Sequence, residues 1–401
     1  MEGNVPEIRL KNFTRPWIQR TIGSVAGVSF GGGTPSTTNS DYWNGDIPWL
    51  QSSDITEHDI IGVNLRKHIT IMGLNNSSAK LIPANSIAIV TRVGVGKLSV
   101  VPFDFTTSQD FLSLSDLDID VWFGAYVMYT KLQKELHSVQ GTSIKGITKE
   151  ELLNKVICVP QDKEEQTIIG EFFRALDENI TLHKCKLDGL KELKKGYLQQ
   201  MFPQTGETVP RLRFEGFTDD WNEVKLGDIS TVGMCRRIFK EETSSIGDVP
   251  FYKIGTFGAK PDAYISRTLF NKYKEKYPYP KTGDILISAS GTIGRTVIYQ
   301  GEEAYYQDSN IVWLNADETI LSNIFLKQFY HIVKWSGLEG TTIKRLYNSN
   351  ILETRITLPT VQEQTAIGNF LHNLDNQITA QSKKVEQLKE LKTAYLQKMF
   401  V

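Results

Sequence analysis

The residues in this chain that might do chemistry are few and scattered. Gly94-Val95-Gly96-Lys97-Leu98 is the nearest string to a phosphate-binding loop. It lacks the upstream glycine and the hydroxyl of G-x-x-x-x-G-K-[ST], whose backbone amides cradle a phosphate. Phe30-Gly31-Gly32-Gly33 runs into Thr-Pro rather than a helix, and no Pro-Pro pair occurs to build the tetrad that holds a flipped adenine in a methyltransferase. Pro261-Asp262 has no later Glu-x-Lys in the same globular part, so the usual carboxylate set of a metal-dependent nuclease is not assembled. The histidines at 58, 68, 137, 183, 331 and 372 have no cysteine or carboxylate at ligand spacing. Cys158, Cys185 and Cys235 are too scattered for a disulfide frame or a zinc site. No metal site is expected. These patterns favour a binding or scaffolding protein over an enzyme.

The dominant feature of the framework is a segment that occurs twice. Glu164–Phe202 reads EEQTIIGEFFRALDENITLHKCKLDGLKELKKGYLQQMF, and Gln362–Phe400 reads QEQTAIGNFLHNLDNQITAQSKKVEQLKELKTAYLQKMF. Aligned, they agree at roughly 21 of 39 positions, far above chance for an internal repeat. Each predicts a long amphipathic helix. Phe173, Leu176, Ile180, Leu187, Leu190, Tyr197 and Met201 follow a 3,4 spacing, and Leu371, Leu374, Ile378, Val385, Leu388, Tyr395 and Met399 repeat it. Polar residues interrupt both stripes at matching places, His183 and Gln381, then Lys194 and Lys392. Polar residues in a helical seam cost stability and fix register, so the two helices are expected to meet in one alignment. A straight helix of about 38 residues is about 57 Å long, a ruler suited to duplex DNA with two half-sites.

The doubling extends beyond the helices. Val5–Gly23 (VPEIRLKNFTRPWIQRTIG) matches Val209–Gly227 (VPRLRFEGFTDDWNEVKLG), and Gly141–Pro160 (GTSIKGITKEELLNKVICVP) matches Gly340–Pro359 (GTTIKRLYNSNILETRITLP). The plan is globular part, helix, globular part, helix. Within the first part, Phe30–Leu50 is too rich in Gly, Pro, Ser, Thr and Asn to be regular throughout. Ser86–Pro102 predicts a hairpin, Thr107–Leu114 a strand and Asp120–Leu136 a helix. The second part supplies counterparts at Val249–Phe257 (parallel to Ile47–Ile55), Asp284–Tyr299, Tyr305–Leu314 and Ile324–Trp335.

Composition bounds the reading. The 401 residues carry a formal net charge of −1, which argues against a protein that simply coats nucleic acid. Neither half is basic: residues 1–158 hold 14 basic and 15 acidic side chains, and residues 203–358 hold 19 of each. Contact with DNA would need local patches, or a partner that shares the phosphate charge. No apolar run approaches the ~18 residues of a membrane span, and MEGNVPEIRL does not resemble a signal peptide, so a cytoplasmic protein with no membrane partner is expected.

Three local patterns in this order carry a family resemblance. They are the loop GGGTPSTTNSDYWNGDIPWL, the ending GT-[ST]-IK with a hydrophobic strand closing on proline, and the helix opening E-Q-x-x-I-G-x-[FL]-[FL]-x-x-L-D-x-x-I. Together they resemble the specificity (S) subunit of type I restriction-modification systems over essentially the whole chain. The resemblance implies an α+β protein. Two α/β target-recognition domains would be separated by two long helices, paired as an antiparallel coiled coil with a pseudo-two-fold internal repeat. The divisions would be 1–158 (recognition domain 1), 159–203 (spacer helix 1), 204–357 (recognition domain 2) and 358–401 (spacer helix 2). It implies a bipartite double-stranded DNA target, two modification (methyltransferase) subunits that methylate adenine N6, and restriction (helicase-nuclease) subunits. S-adenosylmethionine, ATP and Mg would sit on those partners, and this chain would bind no cofactor and perform no catalysis.

Readout of base edges needs Arg or Lys toward guanine, Asn or Gln toward adenine, and hydroxyls toward either. On that chemistry the DNA-binding candidates are Thr34, Ser36, Thr37, Asn39, Tyr42, Arg92, Lys97 and Gln109 in the first part. In the second they are Arg236, Arg237, Lys253, Ser290, Thr292, Arg295 and Gln307. Such residues are also ordinary turn formers. Trp43, Trp49 and Phe251 are expected to pack the domains, and Lys145 and Lys344 occupy matching places that suit a phosphate or a frame role. On the helices, Ile169, Phe172, His183, Lys194 and Leu198, with Ile367, Phe370, Gln381, Lys392 and Leu396, are the candidates for register and subunit docking. Leu193 and Leu391 widen the same apolar flank beyond a two-helix seam. A self-sufficient methyltransferase or nuclease lacks its motifs here. A purely structural helical adaptor leaves two unlike polar-loop domains on like helices unexplained.

Overall fold

A computed structural model of the chain describes residues 5–138, 146–204, 206–336 and 345–401. Lys145 and Lys344, with most of the GT-[ST]-IK repeat, lie outside them. Two compact units emerge, Met1–Lys186 with Gln381–Val401, and Leu187–Ala380. No helix among the described residues is long and apolar enough to cross a membrane.

In the first unit the strands are β1 (Ile18–Thr21), β2 (Ala26–Gly31), β3 (Trp43–Leu50), β4 (Lys67–Ile69), β5 (Ser86–Val90), β6 (Leu98–Val101), β7 (Thr106–Thr107), β8 (Phe111–Leu117) and β9 (Val156–Val159). In the second they are β10 (Asn222–Lys225), β11 (Ser230–Met234), β12 (Val249–Tyr252), β13 (Tyr264–Ile265), β14 (Ile285–Ser288), β15 (Thr296–Ile298), β16 (Tyr305–Tyr306), β17 (Ile311–Ala316) and β18 (Arg355–Leu358). The helices are α1 (Ile22–Val25), α2 (Ile71–Asn75), α3 (Val121–Ser138), α4 (Lys149–Leu153) and α5 (Lys163–Met201), then α6 (Leu226–Ile229), α7 (Arg267–Lys276), α8 (Asn323–Phe329), α9 (Asn348–Glu353) and α10 (Val361–Met399). The sheets of the first unit run β2-β8-β5-β6, β4-β3-β7 and β1-β9; those of the second run β11-β17-β14-β15, β13-β12-β16 and β10-β18. Every strand of the second unit therefore occupies the place of the strand nine earlier. The duplication is complete at the level of topology.

The sequence explains the layering. β5 reads SIAIV and is buried on both faces. Ile87 and Ile89 point into a core shared with α3 and the long helices, while Ala88 and Val90 point into a second core with Leu50, Ile82 and Phe105. β14 repeats this, with Ile285 and Ile287 on one side and Leu286 on the other. A strand buried on both faces reads as a continuous apolar run rather than an alternation. Each globular part enters and leaves through a two-stranded neck, with Ile18 opposite Val159 in one and Asn222 opposite Leu358 in the other.

Two sequence expectations change. Thr107–Leu114 is not one strand: Thr106–Thr107 pairs in parallel with β3, and a turn at Ser108–Asp110 starts β8 in another sheet. Ile324–Trp335 is helical only over Asn323–Phe329, whereas its counterpart α3 runs to Ser138. The Ser86–Pro102 hairpin forms, with Ser86 opposite Val101.

Both long helices are 39 residues. In the first unit the opening of α5 runs antiparallel to the end of α10, since Phe172 meets Tyr395, Asp177 meets Lys392 and His183 meets Gln381. In the second unit the end of α5 runs antiparallel to the opening of α10, since Lys194 meets Asp375 and Tyr197 meets Phe370.

Candidate nucleic-acid interface

The helix pairs are fixed by buried charge. Lys392 Nζ donates to both carboxylate oxygens of Asp177, at 2.6 and 2.8 Å, and to the carbonyl of His58. Tyr126 donates its hydroxyl to the same carboxylate at 2.7 Å. In the second unit Asp375 receives Lys194 at 2.5 Å, Lys327 at 3.1 Å and Gln328 at 3.1 Å. Burial pushes the Asp177 carboxyl up, against the pull of Lys392. Burial pulls the Lys194 ammonium down, against Asp375. Burial, then Asp177, raises the Tyr126 hydroxyl, and burial takes Tyr129 up to about 12. The polar breaks meet as the matched spacing predicts: Gln381 reaches both the ring and the carbonyl of His183. The two lysines do not meet each other. Each takes the aspartate of the helix opening, which sequence reasoning left unassigned although L-D stands in both copies.

The rest of that opening motif has matching work in both units. Glu165 and Glu363 are buried and receive bidentate Arg9 and Arg213. Gln166 accepts from the Asp120 amide and donates to Pro160 O; Gln364 does the same with Ser322 and Pro359. The glutamine thus ties the start of α3 or α8 to the neck.

The docking assignment needs correction at four positions. Ile169 and Leu396 are buried in the core of the first unit, and Leu198 and Ile367 in that of the second, because the globular parts fold over this flank. They hold a unit together and offer no surface to another subunit. Phe172 remains 39% exposed, alongside exposed Ile168, Leu193 and Leu391, and Phe370 is half-buried.

The polar candidates collect on loops at strand ends. In the first unit Thr34 donates to Gln109 at 2.6 Å, joining the loop after β2 to the β7–β8 turn. Arg92 and Lys97 sit on the β5–β6 turn, whose start is tied to the β7–β8 turn through Thr91 N and Asp110 O. Ser36, Thr37, Asn39 and Tyr42 share the loop between β2 and β3. Asn39 spends its side-chain oxygen on the Asp41 amide, and Ser36 gives its carbonyl to Trp43 Nε1. Trp49 and Phe251 are buried packing residues, and Trp43 stacks edge-on against Trp49.

In the second unit the same strand ends converge. Arg237 pairs with Asp308 at 2.9 Å, and Gln307 accepts from the Ile254 amide at 2.9 Å. Ser290 donates to Asn310, and Arg295 donates to Phe257 O at 2.9 Å. Lys253 pairs with Asp262, and Arg236 lies 5.4 Å over the Tyr277 ring. Thr292 is exposed on the β14–β15 turn. Several of these side chains therefore hold loops together. Sequence reasoning missed Arg345, which donates to Ser309 O and bridges to Ser290 by backbone. Its place next to the repeated Thr-Ile-Lys was the available signal. Among the described residues no cluster of three or more His, Cys, Asp or Glu is arranged to hold a metal ion.

Residues 14–192 and 218–390 match the family described as Type I restriction modification DNA specificity domain. The chain belongs to that family. It is similar to the type I restriction enzyme MjaIX specificity subunit of Methanocaldococcus jannaschii, at 25% identity over 99% of this chain and 96% of the relative. A putative type I restriction enzyme specificity subunit of Haemophilus influenzae is 58% identical, over 40% of this chain and only 43% of that relative's length. Among solved structures, the S subunit of a type I restriction-modification system from M. genitalium matches 99% of both chains, with a TM-score of 0.67 at 17% identity, which speaks to fold. A family member of this kind is a non-catalytic subunit that recognises a DNA target.

Proposed function

We propose that each unit reads one half of a split duplex target through its strand-end loops, and that the chain serves as the specificity subunit of a complex methylating adenine N6 in both halves. The observation that carries this reading is the pair of topologically identical units whose loops differ in sequence and in side-chain wiring. A duplicated scaffold with unlike polar loops suits a target of two unlike halves. Modification subunits dock on what remains exposed of the helix flank, Ile168, Phe172 and Leu391 in the first unit and Leu193 in the second, since exposed apolar side chains mark interaction sites. S-adenosylmethionine belongs to those subunits, and ATP and Mg to restriction subunits that join them in the cytoplasm. Mapping N6-methyladenine in cells with and without this gene tests the reading. A split motif methylated on opposite strands supports it; an unchanged methylome removes it.

A further inference from the structure

The second unit carries an exposed aromatic ring flanked in sequence by basic side chains. Phe239 is 55% exposed, on the segment that follows β11. Arg236, Arg237 and Lys240 flank it in sequence and are all exposed. The segment is tied down. Phe239 N donates to Glu242 at 2.8 Å, Tyr273 donates to the other oxygen of Glu242, and Arg237 pairs with Asp308. Lys240 has no carboxylate partner among the described residues. Phe239 rims a groove of about 530 Å³ whose other walls include Phe251, Lys253 and Gln307. A tied-down loop thus presents an apolar ring beside basic side chains suited to phosphates.

We propose that Phe239 is a specificity-determining residue that contacts the C5-methyl group of a thymine in the half-site read by the second unit. The proposal rests on the DNA-reading function above. Among base edges in the major groove, the thymine methyl is the apolar feature that a ring can recognise without a hydrogen bond. Arg236 and Lys240, which no carboxylate pairs among the described residues, can hold the phosphate backbone near the ring. Insertion of the ring between bases is the competing geometry, and it would unstack a step.

The test uses the full chain assembled with its modification subunits and duplexes carrying the methylome-derived target. Each thymine of the second half-site is replaced singly by deoxyuridine, which removes only the methyl group. One replacement should weaken wild-type binding about fourfold, the worth of one buried methyl-sized group. Phe239→Ala should bind the parent duplex about fourfold more weakly and no longer distinguish thymine from deoxyuridine there, with Phe239→Leu intermediate. Continued discrimination by Phe239→Ala overturns the proposal, as does equal loss on random DNA. A rise in fluorescence of 2-aminopurine placed beside that thymine and away from the methylated adenine, seen with the wild type and lost in Phe239→Ala, overturns it in favour of insertion, and a half-site without thymine overturns it as well. Failure of the wild-type complex to prefer any target would instead remove the DNA-reading function itself.

Discussion

Lys392 and Asp177 are both nearly buried, at 7% and 6% side-chain exposure, so each depends on the other for its solvation. Removing one partner leaves a lone charge in a low-dielectric site. Lys392→Met should therefore cost about 3–5 kcal/mol of stability, read by denaturant unfolding. The double change Asp177→Asn with Lys392→Met should restore most of that loss, because a neutral pair of similar size carries no desolvation penalty. On the loops, Arg92 is exposed on its turn, while Arg295 spends one amine on Phe257 O. Arg92→Ala or Arg295→Ala should lower discrimination at one half-site in binding assays with specific and random duplexes. Equal loss on both would make that arginine a phosphate contact.

At the scale of elements, the motif glycine of the long helices answers to packing. A Cβ on Gly170 would lie 2.6 Å from Phe123 N, and one on Gly368 would lie 2.6 Å from Ile324 Cγ2 and 3.0 Å from Phe325 N. Alanine is worth up to about 1 kcal/mol over glycine inside a helix. Here the clash with the start of α3 or α8 should outweigh it, at about 1–3 kcal/mol for overpacking. Gly170→Ala and Gly368→Ala should lower the melting temperature. Gly196 has nothing within 4 Å of such a Cβ, and its counterpart in the second copy is Ala394. Gly196→Ala should raise the melting temperature, so the two kinds of helical glycine separate by sign.

For the whole molecule, the necks define the exchangeable piece. β10 and β18 pair in register from Asn222 opposite Leu358 to Lys225 opposite Arg355, so both ends of the second globular part lie side by side. Replacing residues 222–358 by the corresponding part of a relative preserves the helices. Methylome mapping of that chimera should show one half of the target changed and the other retained. A change in both halves would mean that the loops of one unit do not act alone.

The sequence by itself determined the repeat, the long helices, the hairpins and the family. Each is a local or periodic signal: an apolar stripe at 3,4 spacing, a β-branched run in Ser86–Val90, a motif that recurs. The matched breaks at His183 and Gln381 were legible for the same reason. The tertiary structure decided what each polar or apolar residue faces. Ile169 and Leu396 look like surplus flank in the sequence, yet the globular part covers them. Lys194 and Lys392 look like twins, yet each meets the aspartate of the opposite helix, because in an antiparallel register equivalent positions face one another only near the His183–Gln381 crossing. Gln307 and Ser290 look like base readers, yet their side chains tie the loop cluster together. Helical and strand periods are written in neighbouring residues. The partner of a side chain is set by segments far apart in sequence, which meet only when the chain folds.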